Sequence, residues 1–359
     1  MRSRIILILA VFALTMAYEL WHLWRITPGG WPWKLAVSGA FVLWFGVAVA
    51  GVSMTEHFSI KTATLLYVTG LPWMIAYLYL LLIFVVLDFA TLVHLLPKGL
   101  LQHSAVGLVS IIGVVAVIMT VGHVHYRHKY REELTIKTEK PLEKPLTVVL
   151  ASDLHVGYHN RRPELARWVD LINAENPDLV LFGGDILDRS VRPVLAGDYA
   201  AEFRRIQAPV WAILGNHEYY SDADGAAQFF SDAGIRIMRD TVCSHLGVTL
   251  IGRDDRTNPR RKPLSELAAS PERFTILLDH QPYHLEEAEA AGIDFQFSGH
   301  THRGQVWPAS WATDAMYEKS WGHHVRGKTR YYISSGLGIW GARIRVGTRS
   351  EYLVLHIEN

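Results

Sequence analysis

The sequence contains a single cysteine, Cys243, and no excess of charge of either sign. One cysteine excludes an intrachain disulfide, which fits a reducing compartment, and we expect Cys243 to be a small buried residue. The chain has 35 Lys plus Arg against 34 Asp plus Glu. Without a basic excess, binding to nucleic acid through bulk electrostatics is not expected.

Charge is scarce in the first third of the chain. Before Arg127 there are six basic residues (Arg2, Arg4, Arg25, Lys34, Lys61, Lys98) and three acidic ones (Glu19, Glu56, Asp88). Such a composition does not suit a soluble surface. It predicts a transmembrane region over residues 1–126, with about four helices at 5–24, 35–54, 65–93 and 105–125. The alternative for the first apolar run is a cleaved signal peptide, but no convincing cleavage site precedes Glu19.

The distribution of Lys and Arg predicts the orientation of these helices. With four spans, Arg2, Arg4, Lys61 and Arg127 lie on one side of the membrane, and fewer basic residues lie on the other. The positive-inside rule therefore predicts a multi-pass protein of the cell membrane with its C-terminal domain in the cytoplasm. A three-span arrangement would place that domain outside.

Beyond the apolar region, residues 127–145 are charged and are interpreted as a linker, and 146–359 as a separate domain. In that domain, apolar runs typical of strands alternate with helical patterns. Strands are predicted at 146–151, 179–182, 210–214, 248–251, 274–278 and 295–297, and helices at 163–174, 194–206 and 222–233. This alternation predicts a layered α/β domain.

Polar residues follow five of the predicted strands. The segments are Ser152-Asp153-Leu154-His155, Gly183-Gly184-Asp185 with Asp188-Arg189, Gly215-Asn216-His217-Glu218, Asp279-His280 and Gly299-His300-Thr301-His302. Each alone is weak, but strand ends of open α/β sheets converge on ligands. Imidazole, carboxylate and amide donors without a thiolate suit two divalent metals, with Mn, Fe, Zn and Ni all open. A pair of metals needs a shared anionic bridge, which one Asp can supply.

Together these five segments resemble the calcineurin-like metallophosphoesterase superfamily. The late segment Ser335-Gly336-Leu337-Gly338 and Gly304-Gln305-Val306 resemble its membrane-associated bacterial branch. The resemblance implies a four-layer αββα sandwich and a hydrolase in which a metal-bridging hydroxide attacks phosphorus. By motif position, Asp153, His155 and His302 would bind one metal, Asn216, His280 and His300 the other, and Asp185 would bridge them.

The resemblance also assigns three catalytic roles. His217 would stabilise charge or protonate the leaving oxygen, Asp188 would orient His217, and Arg189 would bind phosphate. Other readings are open for two of these, because Asp188 also suits a helix cap and Arg189 a surface position. Arg303 replaces a glycine that relatives often carry.

The expected substrate is a phosphodiester or a pyrophosphate-type bond, in a lipid or lipid-linked molecule that the tethered domain meets at the bilayer. Trp307, Trp311, Tyr317, Trp321 and Trp340 would form an aromatic lip beside the site, or else pack in the core. The alternatives are a phosphatase or cyclic-nucleotide phosphodiesterase with a soluble substrate, and a non-catalytic membrane sensor or scaffold. The oligomeric state is not predicted.

Overall fold

A computed structural model describes residues 2–221, 223–267 and 271–359. The chain divides into two compact units, residues 1–123 and 124–359. The first position of the helix predicted at 222–233 lies outside the described residues.

The first unit is helical. Its helices are α1 (Arg2–Ile26), α2 (Trp31–Ser53), α3 (Ile60–Gly70), α4 (Pro72–Leu92) and the greater part of α5 (Ala105–Arg127). Among the residues that the structure describes, four helical stretches are long and apolar enough to cross a membrane: Ile6–Ile26, Trp31–Ser53, Ile60–Leu92 and Ala105–Arg127. Many of their Leu and Val side chains are exposed, as lipid-facing residues would be. These helices mark the chain as a membrane protein.

The third of these stretches begins earlier than predicted and is interrupted. Ser59 caps it by accepting a hydrogen bond from the backbone N–H of Thr62. It breaks at Leu71, where α3 ends and α4 begins with Pro72. Proline lacks the N–H that the helical ladder needs, and its ring crowds the preceding turn. The first unit also pairs Asp88 internally, because Tyr18 and His22 both bond to its Oδ2 at 2.7 and 3.0 Å.

The second unit contains two six-stranded sheets. Sheet 1 has the order β1-β12-β2-β3-β4-β5, from strands at Lys129–Lys137, Ser350–Glu358, Leu146–Ala151, Leu179–Phe182, Val210–Ile213 and Ile235–Met238. Sheet 2 has the order β10-β11-β9-β8-β7-β6, from strands at Gly322–Arg326, Thr329–Ile333, Phe295–Ser298, Thr275–Leu278, Val248–Gly252 and Thr241–His245. β2, β3, β4 and β5 run parallel, as do β7, β8, β9 and β11.

Helices accompany both sheets. They are α6 (Arg162–Ala174), α7 (Arg192–Ala196), α8 (Tyr199–Phe203), α9 (Asn216–Tyr220), α10 (Ala223–Asp232), α11 (Leu285–Ala290) and α12 (Ala309–Met316). The single helix predicted over 194–206 is wrong, because the chain forms α7 and α8 instead. Asp198 stands between them in the left-handed region, at a φ of 49°.

Three apolar cores define the layers. Leu146, Val148 and Leu150 of β2 pack between the sheets, while Val149 and Ala151 pack against the helices of sheet 1. A separate core lies between sheet 2 and α11. Strands covered on both faces read as continuous apolar runs, which is why the sequence reveals them. The predicted four-layer α/β sandwich is confirmed.

The predicted linker is wrong over residues 129–137, which form the edge strand β1. All nine residues pair in parallel with β12. Leu134 and Ile136 turn toward the inter-sheet core, whereas Arg131, Glu133 and Lys137 are exposed. Charge on alternate positions is how proteins protect a sheet edge, and it hid the strand from a reading by hydrophobicity. Residues 138–145 contain no helix or strand.

Candidate metal centre

The strand ends bring the predicted donors to neighbouring loops. Asp153 and His155 follow β2, Asp185 follows β3, and Asn216 opens α9 after β4. On sheet 2, His280 follows β8, and the segment with His300 and His302 follows β9. Parallel neighbours end at the same edge of a sheet, so each sheet delivers its donors to one edge.

The first cluster consists of Asp153, His155 and His302, all buried. The Nε2 atoms of the two imidazoles are 3.1 Å apart. Asp153 Oδ1 lies 3.3 Å from Nε2 of His302 and 3.9 Å from Nε2 of His155. Three donors thus turn toward one point.

The second cluster consists of Asp185, His280 and His300, and Asn216 adjoins it. His280 Nε2 lies 3.2 Å from Asp185 Oδ2, and the Asn216 Oδ1 lies 2.9 Å from His300 Nδ1. His280 Nδ1 bonds to the carbonyl of Gly183 at 2.8 Å, which fixes the ring and directs Nε2 at the carboxylate. Asp185 Oδ2 also approaches His155 Nε2, at 3.7 Å, so this one carboxylate faces both clusters.

The donors fit divalent metal ions. Ligands about 2.0–2.2 Å from a metal stand about 3.0–3.5 Å from one another, and several donor pairs here have that spacing. His280 Nε2 is buried and lacks a normal hydrogen bond. Burial lowers the pKa of both His155 and His302 well below the usual range, which favours the neutral form that binds metal. At His280 burial acts in the same direction, but the carboxylate of Asp185 outweighs it and raises the pKa. The buried carboxylates of Asp153 and Asp185 complete a donor set for two cations.

The backbone of the centre is strained. Asp153, His155, Asp185, His300 and His302 all adopt positive φ, between 46° and 70°. The left-handed region is unfavourable for residues with a Cβ, and such strain concentrates at functional sites. Gly184, at a φ of 93°, is required for a further reason, because a Cβ there would lie 2.6 Å from His280 Nδ1.

His217 lies beside both clusters. Its Nδ1 is 3.1 Å from the carbonyl oxygen of Asp188 and 3.4 Å from Asp188 Oδ1, and its ring stands 4.5 Å from that of His155. Burial lowers the pKa of His217, but the carboxylates of Asp185 and Asp188 outweigh it and raise the pKa to about 9. A protonated imidazole beside a metal centre is suited to donate a proton.

The other two predicted catalytic residues, Asp188 and Arg189, differ in their surroundings. Asp188 is buried against His217, as an orienting residue would be, and its Oδ2 also lies 3.5 Å from Nδ1 of the buried His159. Arg189 is exposed on the same loop. His217 can also join His155 and Asp185 as a third group of donors, a possibility that the sequence did not suggest.

Sequence reasoning missed several supporting residues. Asp255, which follows β7, is buried and accepts a hydrogen bond from Gln281 beside His280. Arg345 is fully buried and donates to the carbonyl oxygens of His302, Ser335 and Gly338, at 2.8, 2.5 and 3.1 Å. The only sequence signal for Asp255 is its position after a strand, and Arg345 has none, because it acts from a loop distant in the chain.

Glu218 belongs to a segment that the sequence analysis identified, but its supporting role was not predicted. Its buried carboxylate accepts hydrogen bonds from the backbone N–H groups of Asp185, Leu187 and Gly215, at 3.1, 2.8 and 2.7 Å. It therefore fixes the loop that carries Asp185 to the loop that carries Asn216.

We expect Glu218→Ala to lower the melting temperature by at least about 6–12 °C, because leaving three buried N–H groups unpaired costs about 1 kcal/mol or more each. Metal affinity should fall about 10–100-fold, as it does when other residues that position metal ligands are replaced. Thermal melts and metal titrations measure both. Glu266→Ala, at an exposed glutamate, is the control. Unchanged metal affinity in Glu218→Ala would contradict this role.

The centre is thus a set of histidine, carboxylate and amide donors for two divalent metals, at the edge of two stacked sheets. Residues 146–304 match the family model of calcineurin-like phosphoesterases. The chain therefore carries a calcineurin-like metallophosphoesterase domain, whose family uses two divalent metal ions, and the predicted resemblance is confirmed.

The chain is also similar to curated proteins that are named as metallophosphoesterases. The chain is 31% identical over 227 residues to an uncharacterised metallophosphoesterase of Helicobacter pylori, covering 60% of each chain. It is 28% identical over 241 residues to a transmembrane protein with a metallophosphoesterase domain of Danio rerio, covering 60% of this chain and 55% of that one. The chain thus spans little more than half the length of these relatives.

Proposed function

We propose that this protein is a membrane-anchored phosphoesterase that uses two divalent metals to cleave a phosphodiester or pyrophosphate-type bond. The observation that carries the proposal is the position of Asp185, whose carboxylate faces both donor clusters while His217 stands beside it. A site with donors for two metals and an adjacent proton donor suits in-line displacement at phosphorus.

The chain's own residues would divide the work. When bound, two divalent metals would acidify a water molecule and offset the charge on the phosphoryl oxygens. One metal would be held by Asp153, His155 and His302, and the other by Asn216, His280 and His300. Asp185 would bind both metals. His217, its Nδ1 directed at Asp188, would donate a proton from Nε2 to the leaving oxygen. Arg189 would reach the substrate phosphate from its exposed loop.

The membrane helices support a lipid or lipid-linked substrate. Only His128 separates α5 from β1, so the connection between the last apolar helix and the domain is short. A short tether gives the domain a high effective concentration of membrane substrates. We further propose four spans and a cytoplasmic domain, supported by the Lys and Arg distribution.

The test is hydrolysis of bis- and mono-p-nitrophenyl phosphate by the purified full chain, with and without Mn²⁺. We expect metal-dependent turnover of both esters. In His217→Ala, turnover of a phenyl phosphate ester, whose leaving oxygen needs a proton, should fall about 10²–10⁴-fold, because general acid catalysis contributes that much. The p-nitrophenyl esters should lose less, because p-nitrophenolate leaves without a proton. Asn216→Ala should weaken metal binding as well. His323→Ala, at an exposed histidine, is the matched control.

Two results would redirect the proposal. Full activity of His217→Ala toward the phenyl ester would exclude His217 as the proton donor. Turnover of neither ester with any divalent metal, together with no metal binding, would favour the scaffold alternative.

A further inference from the structure

The surface of α12 beside the metal centre is apolar and uncovered. Trp311 and Met316 are 65% and 64% exposed, and Trp307, just before the helix, is 42% exposed. Ala312 and Ala315 are also exposed. Residues 311, 312, 315 and 316 recur at helical spacing and form one stripe, which together with Trp307 we call the α12 face.

The α12 face has the chemistry of a membrane interface. The rings of Trp307 and Trp311 lie 5.3 Å apart, edge to face. Tryptophan prefers the boundary between headgroups and acyl chains, where its ring is apolar and its N–H meets water. Exposing two tryptophans and a methionine together to water is costly, and such patches mark interaction sites.

The α12 face is joined at both ends to the metal centre. The ligand His302 and then Arg303 precede the helix, within the turn His302–Gly304. Tyr317 follows it, and its buried ring lies 6.5 Å from that of His300. Whatever contacts the α12 face therefore lies near the loop that carries His300 and His302.

The occupant of the α12 face follows from its aromatic chemistry and from the rest of the chain. Arg303 and Lys319 lie beside α12 in a cavity that Asp314 and Glu318 also line, so the charge next to the face is balanced. An apolar aromatic stripe bordered by charged residues suits a bilayer interface, and this chain already carries apolar helices long enough to span a bilayer.

We propose that the α12 face inserts into the bilayer interface and presents lipid headgroups to the metal centre. This deepens the proposed function by naming how a lipid substrate arrives, and it rests on that function for its purpose. It also corrects the aromatic lip predicted from sequence. Tyr317 is buried and Trp321 is half-buried beneath the Arg303 guanidinium, 4.1 Å from its ring, so neither can insert.

Spin labelling tests the insertion without any enzymatic readout. The full chain carrying Cys243→Ser receives either Ala312→Cys on the α12 face or Gln228→Cys at an exposed position on α10. Each labelled protein is placed in nanodiscs of phosphatidylglycerol and phosphatidylcholine. Accessibility is measured to oxygen, which concentrates in the bilayer, and to a water-soluble nickel chelate.

We expect the label at position 312 to favour oxygen and the label at 228 to favour nickel. Adding Trp311→Glu should bring the accessibility ratio at 312 to that at 228, since a carboxylate opposes insertion. The same substitution should leave p-nitrophenyl ester hydrolysis unchanged. Equal ratios at 312 and 228 would overturn the proposal, even in an active enzyme. Shielding of 312 from both reagents, in detergent as well, would assign the face to a second copy and also overturn it.

Discussion

Asp185→Asn is expected to remove nearly all hydrolysis and to release metal. The substitution preserves the size of the side chain but removes the charge that faces both clusters. The amide would also place either an N–H₂ group or a weaker oxygen donor 3.2 Å from His280 Nε2. Metal ions contribute several kcal/mol to such reactions, so a loss of about 4 kcal/mol corresponds to about 10³-fold in rate.

Metal content per chain and hydrolysis of bis-p-nitrophenyl phosphate should be measured on the same sample. We expect the metal content to fall from two per chain to one or none. Asp170→Asn is the control, because Asp170 forms an exposed ion pair with Arg205, and such pairs contribute little. Two bound metals and activity within tenfold of the parent would show that Asp185 does not bridge them.

Removing β1 is expected to destabilise the domain severely. A fragment that begins at Thr138 lacks the strand, whereas one that begins at Val124 keeps it. Ile136 is 3% exposed and Leu134 packs against the same core. Losing their burial alone costs about 3 kcal/mol, or about 6–12 °C in melting temperature, before the exposed edge of β12 is counted.

Thermal melts of the two fragments measure this difference. In the full chain, Ile136→Lys should destabilise the same domain, while Thr135→Lys on the exposed face should not. Equal melting temperatures for the two fragments would mean that residues 129–137 are a linker after all. The result also decides where a soluble fragment for assays has to begin.

The parts of the fold that the sequence predicts well are those with two covered faces. Leu179–Phe182 matches its prediction at both ends, because a strand buried on both sides is an unbroken apolar run between polar segments. Edge strands do not have this signature. β1 is charged on alternate positions, and β6 and β10 are largely exposed, so none of the three was predicted. The edge strand β5 and the interior strands β11 and β12 were also not predicted, although β11 and β12 are mostly buried.

The candidate site also contains residues that the sequence predicts and residues that it does not. Its donors were predictable because glycine and a short polar residue directly follow an apolar strand, which ties them to one sheet edge. Arg345 was not, since its role depends on a loop that meets the site only in three dimensions. Sequence position alone also could not separate Asp188, which is buried, from its exposed neighbour Arg189.

The pairing of β1 with β12 has a consequence for biosynthesis. The ribosome makes Lys129–Lys137 directly after the apolar helices, but its partner Ser350–Glu358 emerges after every other strand of the domain. Until then β1 has no neighbour, because β12 is its link to β2 and the rest of sheet 1. The membrane helices can therefore insert while the domain is incomplete, and sheet 1 cannot close until β12 has emerged from the ribosome. A long-range contact of this kind also forms slowly, so the nascent domain would depend on protection from aggregation while it waits.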